Sequence, residues 1–119
     1  TICYDVRFPL LYRKLSQAGA QMVSIPSAFT RSTGAAHWHV LLRARAIETG
    51  CYVIAPAQCG THYGKRATYG HSLIVNPWGE VLADGGDEPG VVMADLDLTD
   101  VSTARASLPS LDHDCSSVM

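Results

Sequence analysis

The chain has 119 residues, of which 47% are hydrophobic and 17% are charged, so it can bury a core, and its composition argues against disorder. This length fits one domain at most. The formal net charge of −2 argues against a nucleic-acid-binding protein, and no apolar run reaches the length of a membrane-spanning helix.

The charges are distributed unevenly along the chain. Residues 1–66 carry eight Lys or Arg and two Asp or Glu, a net charge of +6, whereas residues 67–119 carry one and nine, a net charge of −8. Two interpretations are open. The halves can neutralise each other or a further segment, or the basic half can form the rim of a site for a substrate that bears a carboxylate.

The first nine residues place a cysteine where an apolar start gives way to a helical pattern. This pattern predicts a strand-to-helix corner at Cys3. A thiol at such a corner lies near a helix N-terminus, where free backbone N–H groups and the helix dipole stabilise a thiolate and can hold an oxyanion. Cys3 is therefore a candidate nucleophile, and the alternative is a small buried hydrophobic residue.

Periodicity and turn residues predict alternating helices and strands after this corner. Helices are expected over residues 8–18 and 37–49, ended by Gly19 and Gly50. The expected strands are residues 21–25, 51–57, 69–75 and 91–95, with a hairpin over 73–82. The expected loops are residues 27–36, 58–68 and 84–90. The initial strand–helix–strand order predicts a parallel crossover unit.

Two charged pairs stand out in these elements. Arg45 and Glu48 are three residues apart on the second predicted helix, so they can form an ion pair. Lys65 and Arg66 lie at the tip of a predicted loop, where they are either solvated surface or contacts for an anionic substrate.

Six short motifs occur in a fixed order along the chain. They are Cys3-Tyr4-Asp5-Val6-Arg7-Phe8-Pro9, Pro26-Ser27-Ala28-Phe29, the helix from His37-Trp38 to Glu48-Thr49, Ala57-Gln58-Cys59-Gly60, Tyr69-Gly70-His71-Ser72 and Asn76-Pro77-Trp78-Gly79. This ordered set resembles the nitrilase (carbon–nitrogen hydrolase) superfamily, most closely the branch that hydrolyses deaminated glutathione, near the omega-amidases. The resemblance implies an α/β fold, the C-terminal part of an α-β-β-α four-layer sandwich, over residues 1–98. Residues 99–119 are expected to be a divergent tail.

The resemblance also implies a chemistry. It is the hydrolysis of a small carboxylate-bearing amide through a cysteine thioester, with release of ammonia and without a cofactor. Cys3 is then the nucleophile, and the backbone N–H of Tyr4 donates to the oxyanion. Arg7 either binds the substrate carboxylate or pairs with Asp5. Phe29 either walls the pocket or fills the core.

The resemblance exposes a gap in the catalytic set. The Glu and Lys of the family's triad precede the cysteine, and only Thr1 and Ile2 stand before Cys3. Glu48 matches a different position of the family. The alternative function is therefore an inactive fragment or a non-catalytic assembly module, which we expect to be poorly soluble or self-associating in isolation.

Other sites and the cellular setting follow from residue spacing and the resemblance. No metal site is expected, because His37 and His39 are two apart on a predicted helix and point to different sides. Thr1 could act as an N-terminal nucleophile, but the resemblance favours Cys3. The cysteines at 3, 51, 59 and 115 form no C-x-x-C pair, so we expect reduced thiols in the cytoplasm or mitochondria. The resemblance implies a homo-oligomer at full length, with no nucleic-acid or membrane partner.

Overall fold

The computed structural model describes residues 1–115 and is built on a four-stranded mixed sheet. The strand order is β1-β2-β5-β6. Strand β1 (Met22–Ser24) runs parallel to β2 (Tyr52–Ala55), whereas β2 pairs antiparallel with β5 (Leu73–Val75), and β5 pairs antiparallel with β6 (Val81–Asp84). A separate antiparallel pair joins β3 (Cys59–Thr61) to β4 (Ala67–Tyr69).

Residues 1–115 form four α-helices beside these strands. Their bounds are α1 (Pro9–Gln17), α2 (Arg31–Thr33), α3 (His39–Thr49) and α4 (Thr99–Ser107). A π-helical turn, Gly34–Trp38, joins α2 to α3, and 3-10 turns span Cys3–Arg7 and Ser110–Asp112. Among residues 1–115, no helix has both the length and the apolar character needed to cross a bilayer.

The core lies between the sheet and the helices α1 and α3. Val23, Val53 and Val75 are register partners on neighbouring strands, so their side chains project from the same face of the sheet. All three are buried in one cluster with Leu42 and Ala46 of α3. This face carries most of the apolar burial in the fold.

The second face of the sheet is covered less completely. Met22 of β1 is 49% exposed, and Ile54 of β2, which pairs with Ser24, is half-buried. Val91 and Met93, in the extended segment after β6, are 88% and 85% exposed. Apolar surface of this size normally meets another layer of protein.

Helix α4 and the residues after it pack back onto the start of the sheet. Arg105 donates from its guanidinium to the backbone carbonyls of Ala20, at 2.6 Å, and Thr49, at 3.1 Å. The hydroxyl of Tyr52 hydrogen-bonds the carboxylate of Asp100. Residues 99–107 are therefore an integral part of this fold.

Several predicted elements are confirmed. Helix α1 lies within residues 8–18, and β1 and β2 lie within their predicted ranges. The predicted hairpin over 73–82 is present as β5–β6, although β6 continues to Asp84. Gly19 and Gly50 follow the two main helices with φ of 108° and 63°, the left-handed backbone that favours glycine. The parallel pairing of β1 with β2 is also present.

The predicted loop over residues 27–36 is wrong from Arg31 onward. Helix α2 and the π-helical turn continue into α3, so the helical path begins eight residues before the first residue of α3. Gly34 explains the difference, because a Cβ added there would lie 2.2 Å from the Cβ of Tyr69. The glycine permits close packing of the helix against β4, and in the sequence it looked like a loop residue.

Three predicted strands are also corrected. Residues 69–75 are not one strand, because Gly70 and His71 both adopt positive φ, 73° and 60°, and separate β4 from β5. Residues 91–95 form no strand among the described residues, since nothing pairs with their backbone. Residues 1–2 are extended without being assigned to a strand, although the Cys3 N–H donates to the Pro26 carbonyl at 2.9 Å, beside the end of β1.

Candidate functional site

Cys3 lies at the first position of the 3-10 turn Cys3–Arg7, half-buried and with a left-handed φ of 46°. A non-glycine residue rarely adopts this conformation, and such conformations cluster at functional sites. The expected strand-to-helix corner is therefore a sharp turn from an extended dipeptide into a 3-10 turn. The predicted corner is present as this turn, without the expected strand before it and with a 3-10 turn in place of the helix.

Two contacts fix this turn in place. The Asp5 carboxylate accepts a hydrogen bond of 2.9 Å from the Ile2 N–H, which caps the turn. The Arg45 guanidinium donates through Nε to the carbonyl of the fully buried Val6 at 2.8 Å. Arg45 also forms the predicted ion pair with Glu48, at 2.8 Å. Arg45 thus ties helix α3 to the segment that carries the cysteine.

A cavity of about 580 Å³ opens beside Cys3. Its lining is formed by Ile2, Cys3, Pro26, Ser27, Ala28, Pro56, Ala57, Gln58, Ser72 and Gly90. Apart from the Cys3 thiol, none of these side chains titrates. The cavity can therefore hold a small polar molecule against the thiol, but its described walls supply no acid or base.

The Tyr4 N–H lies in the first turn after Cys3. A helix leaves its first N–H groups without intrahelical acceptors, and among the turn, loop and cap hydrogen bonds of residues 1–115 none is donated by the Tyr4 N–H. The group therefore remains available as a donor near the thiol. The Tyr4 side chain itself is 65% exposed.

Arg7 does not form the alternative ion pair with Asp5, because the Asp5 carboxylate caps the Ile2 N–H instead. The Arg7 guanidinium lies 3.3 Å from Nδ1 of His37 and stacks over the Tyr4 and Phe29 rings, 5.6 and 5.1 Å from their centroids. No carboxylate within residues 1–115 forms an ion pair with Arg7. Arg7 is absent from the cavity lining.

Phe29 also lies outside the cavity lining, so this cavity does not support the pocket-wall alternative. Its ring is buried and packs against Trp38, with a centroid separation of 4.9 Å. An aromatic pair of this kind is stabilised by burying both rings away from water. The structure therefore supports the core interpretation of Phe29, with one ring face turned to Arg7.

Thr1, the alternative nucleophile, uses its hydroxyl in structural contacts. Its Oγ1 lies 2.7 Å from the hydroxyl of Tyr12 and donates to the Ser24 carbonyl at 3.0 Å. Burial raises the pKa of Tyr12 above its ordinary value, although the hydrogen bond with Thr1 opposes this shift. These contacts anchor the extended start of the chain beside β1.

The basic loop tip is exposed, and an ion pair joins the basic and acidic halves of the chain. Lys65 and Arg66 are exposed in the turn between β3 and β4. Arg66 shares a neighbouring cavity with Ala28 and Gln58, which also line the Cys3 cavity. Across the two halves, Arg13 pairs with Asp114 at 2.8 Å. The Arg13–Asp114 pair is consistent with neutralisation between the two halves, and the position of Arg66 is consistent with a basic rim near the Cys3 cavity.

A second cluster of polar side chains was not anticipated. His39 Nε2 lies 2.9 Å from Asp84 Oδ2, and His71 Nδ1 lies 2.9 Å from Asp84 Oδ1. Partial burial opposes ionisation of Asp84, but hydrogen bonds from His39, the Gly86 N–H and His71 hold its pKa below the ordinary value. His37 and His39 do point to different partners, as predicted, yet His39 meets a histidine and a carboxylate from distant parts of the chain. No spacing rule could have revealed this.

Comparisons with known proteins give matches over most of the chain. The family model described as carbon–nitrogen hydrolase matches residues 1–106, which passes the expected boundary at residue 98. The deaminated glutathione amidase of Synechocystis sp. is 55% identical over 113 residues, which are 95% of this chain and 42% of that protein. The chain thus spans less than half the length of this relative.

Solved structures give the same result. The crystal structure of the C. elegans NitFhit protein matches with a TM-score of 0.94 and 50% identity, over 100% of this chain and 29% of that one. A variant of the amidase from Nesterenkonia sp. AN1 matches with a TM-score of 0.72 and 36% identity, over 91% of this chain and 42% of that one. In that amidase, acrylamide has added to the active-site cysteine by Michael addition.

Proposed function

Because the chain belongs to the carbon–nitrogen hydrolase family, we propose that Cys3 is the nucleophile of an amidase. The observation that supports this proposal is the position of Cys3, which has a left-handed φ and lines a cavity of about 580 Å³. The Cys3 sulfur attacks the amide carbon, ammonia leaves with a proton from the enzyme, and water hydrolyses the thioester. The Tyr4 N–H donates to the oxyanion that forms in each step.

The proposed substrate is a small amide with a carboxylate, and deaminated glutathione is the first candidate. The similarity to deaminated glutathione amidases supports this choice. Arg7 is proposed to bind the carboxylate, because its guanidinium has a histidine and two aromatic rings as described partners and no carboxylate. Phe29 then acts indirectly, by holding the Arg7 guanidinium over its ring.

The proposal assigns only part of the catalytic machinery to residues 1–119. The cavity beside Cys3 is lined by no Lys, Glu, Asp or His among the described residues, so nothing there can deprotonate the thiol or an attacking water. The single Glu of the first half, Glu48, is paired with Arg45. We therefore propose that the 119 residues alone do not turn over and that a base and a further oxyanion donor come from outside them.

The full-length protein is proposed to form a homo-oligomer in the cytoplasm or mitochondria. The partly uncovered sheet face, with Met22 49% exposed, supports association with a further layer of protein in a full-length homo-oligomer. The buried thiol of Cys51 suits a reducing compartment such as the cytoplasm or mitochondria.

In isolation, the 119 residues should associate, which size-exclusion chromatography with light scattering would detect. A monomer with a cooperative unfolding transition would contradict this.

The test of activity is ammonia release from deaminated glutathione and from alpha-ketoglutaramate. We expect none from the isolated chain, and release when the upstream half of a relative is supplied. Cys3→Ala should abolish that release, whereas Cys59→Ala should retain it, because Cys59 lies outside the cavity lining. Release by the isolated chain that Cys3→Ala abolishes would refute the missing-base argument. Release that survives Cys3→Ala would refute the assignment of the nucleophile.

A further inference from the structure

We propose that His39, His71 and Asp84 form a binding site for a divalent transition metal, with zinc as the first candidate. The three side chains come from the start of α3, the β4–β5 connection and the end of β6. Their potential ligand atoms all lie within 4.8 Å of one another. Two imidazoles and one carboxylate, with a fourth position left to water, form a donor set that zinc commonly accepts.

The present geometry is close to that of a coordinated ion. Neighbouring ligand atoms in a tetrahedral zinc site are about 3.3 Å apart, given bond lengths of about 2.0–2.1 Å. The two histidine-to-carboxylate distances are both 2.9 Å, so small rotations of the rings would admit an ion. The side chains of His39, His71 and Asp84 are 33%, 25% and 35% exposed, which leaves a route for the ion from solvent.

Contacts behind the three side chains hold them in position. The Trp38 indole donates to the His71 carbonyl at 2.8 Å, and the His71 ring stacks on Tyr69 with a centroid separation of 4.3 Å. The Gly86 N–H donates to Asp84 Oδ1 at 2.9 Å. Such supporting contacts orient metal ligands and strengthen binding, typically by about 10–100-fold in affinity.

The proton balance of binding is simple. Asp84 is held ionised by its hydrogen bonds, so the carboxylate need not lose a proton. Each neutral imidazole can carry its proton on the nitrogen that faces away from the ion, which is Nδ1 of His39 and Nε2 of His71. An imidazolium would release one proton when the ion binds.

The competing interpretation is a hydrogen-bonded clamp without an ion, and it uses the same three residues. The two differ in what they predict for added metal. A clamp gives no saturable binding, whereas a metal site binds one ion per chain and joins α3 to β6. Ser72 follows His71 and lines the Cys3 cavity, so the ion would also brace one wall of that cavity.

The experiment is a titration of the chelator-treated 119-residue chain with zinc against a chromophoric competitor, repeated with cobalt for its absorption spectrum. We expect one ion per chain and a tetrahedral cobalt spectrum without a thiolate charge-transfer band, which excludes the cysteines as ligands. His39→Gln and Asp84→Asn should each weaken binding at least tenfold, since each replaces an imidazole or carboxylate ligand by a neutral amide, which is a poorer zinc ligand. His113→Gln, in the exposed tail, should leave the affinity unchanged.

Circular dichroism of each variant separates loss of the site from loss of the fold. His39 makes one hydrogen bond in this cluster and Asp84 makes three, so His39→Gln should fold even if Asp84→Asn does not. Binding that is equally strong in His39→Gln and His113→Gln would overturn the proposal, as would a cobalt spectrum with a thiolate band or the absence of saturable binding. Because the readout is binding, a failed amidase assay would not affect the result.

Discussion

Arg45 should stabilise the segment that carries Cys3, and replacing it by methionine tests this directly. The side chain is only 5% exposed, and its Nε donates to the carbonyl of Val6, which is fully buried. Arg45→Met keeps most of the apolar volume but leaves that carbonyl without a donor. The partner change Glu48→Gln removes the ion pair and keeps the Val6 bond.

The magnitude follows from these two contacts. A buried carbonyl left without its partner costs about 1–3 kcal/mol, and loss of the guanidinium over the Tyr12 ring, 5.8 Å from its centroid, adds about 0.5–1 kcal/mol. Relief of the buried charge offsets part of this sum. We expect a net loss of about 2–3 kcal/mol in the free energy of unfolding. Glu48 is 47% exposed at its side chain, so Glu48→Gln should cost less than about 1 kcal/mol.

Urea denaturation followed by circular dichroism measures both variants. With a slope of about 1–3 kcal/mol per molar, the midpoint for Arg45→Met should fall by about 1–2 M at an unchanged slope. Alkylation of Cys3 by iodoacetamide, followed by mass spectrometry, should also be faster in Arg45→Met, because the turn opens more often. Equal small losses in the two variants, with equal alkylation rates, would show that the Val6 bond does not hold this turn.

Two further predictions concern packing and alkaline pH. Gly34→Ala should lower the free energy of unfolding by about 1–3 kcal/mol, because the new Cβ would overlap Tyr69 at 2.2 Å. In the control Gly90→Ala the new Cβ meets nothing within 4 Å, so the free energy of unfolding should change by less than about 0.5 kcal/mol. Thermal unfolding measures both variants, and equal effects would contradict the packing argument. Burial, together with the hydrogen bond to Asp100, raises the pKa of Tyr52. The unfolded chain therefore loses this proton first, near pH 10, and stability falls as the pH rises from there through the folded-state pKa. Denaturation midpoints between pH 9 and 11 should fall less steeply in Tyr52→Phe, and parallel curves would refute the assignment.

Local patterns predicted the parts of the fold that local chemistry decides. Helix α1 ends where Gly19 can adopt a left-handed φ, and the Arg45–Glu48 pair follows from helical spacing. The β5–β6 hairpin was predictable because Asn76 and Gly79 give the turn its contacts, including the Gly79 N–H to the Asn76 carbonyl at 2.9 Å. In each case the deciding residues are neighbours in the chain.

The incorrect predictions share a different cause, which is dependence on distant residues. Gly34 is helical because it packs against Tyr69, and no nearby residue carries that information. Residues 91–95 have the composition of a strand, but a strand forms only where another backbone accepts its hydrogen bonds. Of the candidate site, Cys3 could be identified from its motif. The position of Phe29 and the meeting of His39 with Asp84 depended on tertiary contacts.

Arg105 has a consequence for the order of folding. Its hydrogen bonds to the carbonyls of Ala20 and Thr49 join residues that are 85 and 56 positions apart in the chain. Such contacts stabilise the fold only after the entropy of closing long loops has been overcome, so they form late. During synthesis, the residues that lead into β1 and β2 are therefore held in place only after α4 has formed. Substitutions at Arg105 should accordingly accelerate unfolding while leaving the folding rate almost unchanged.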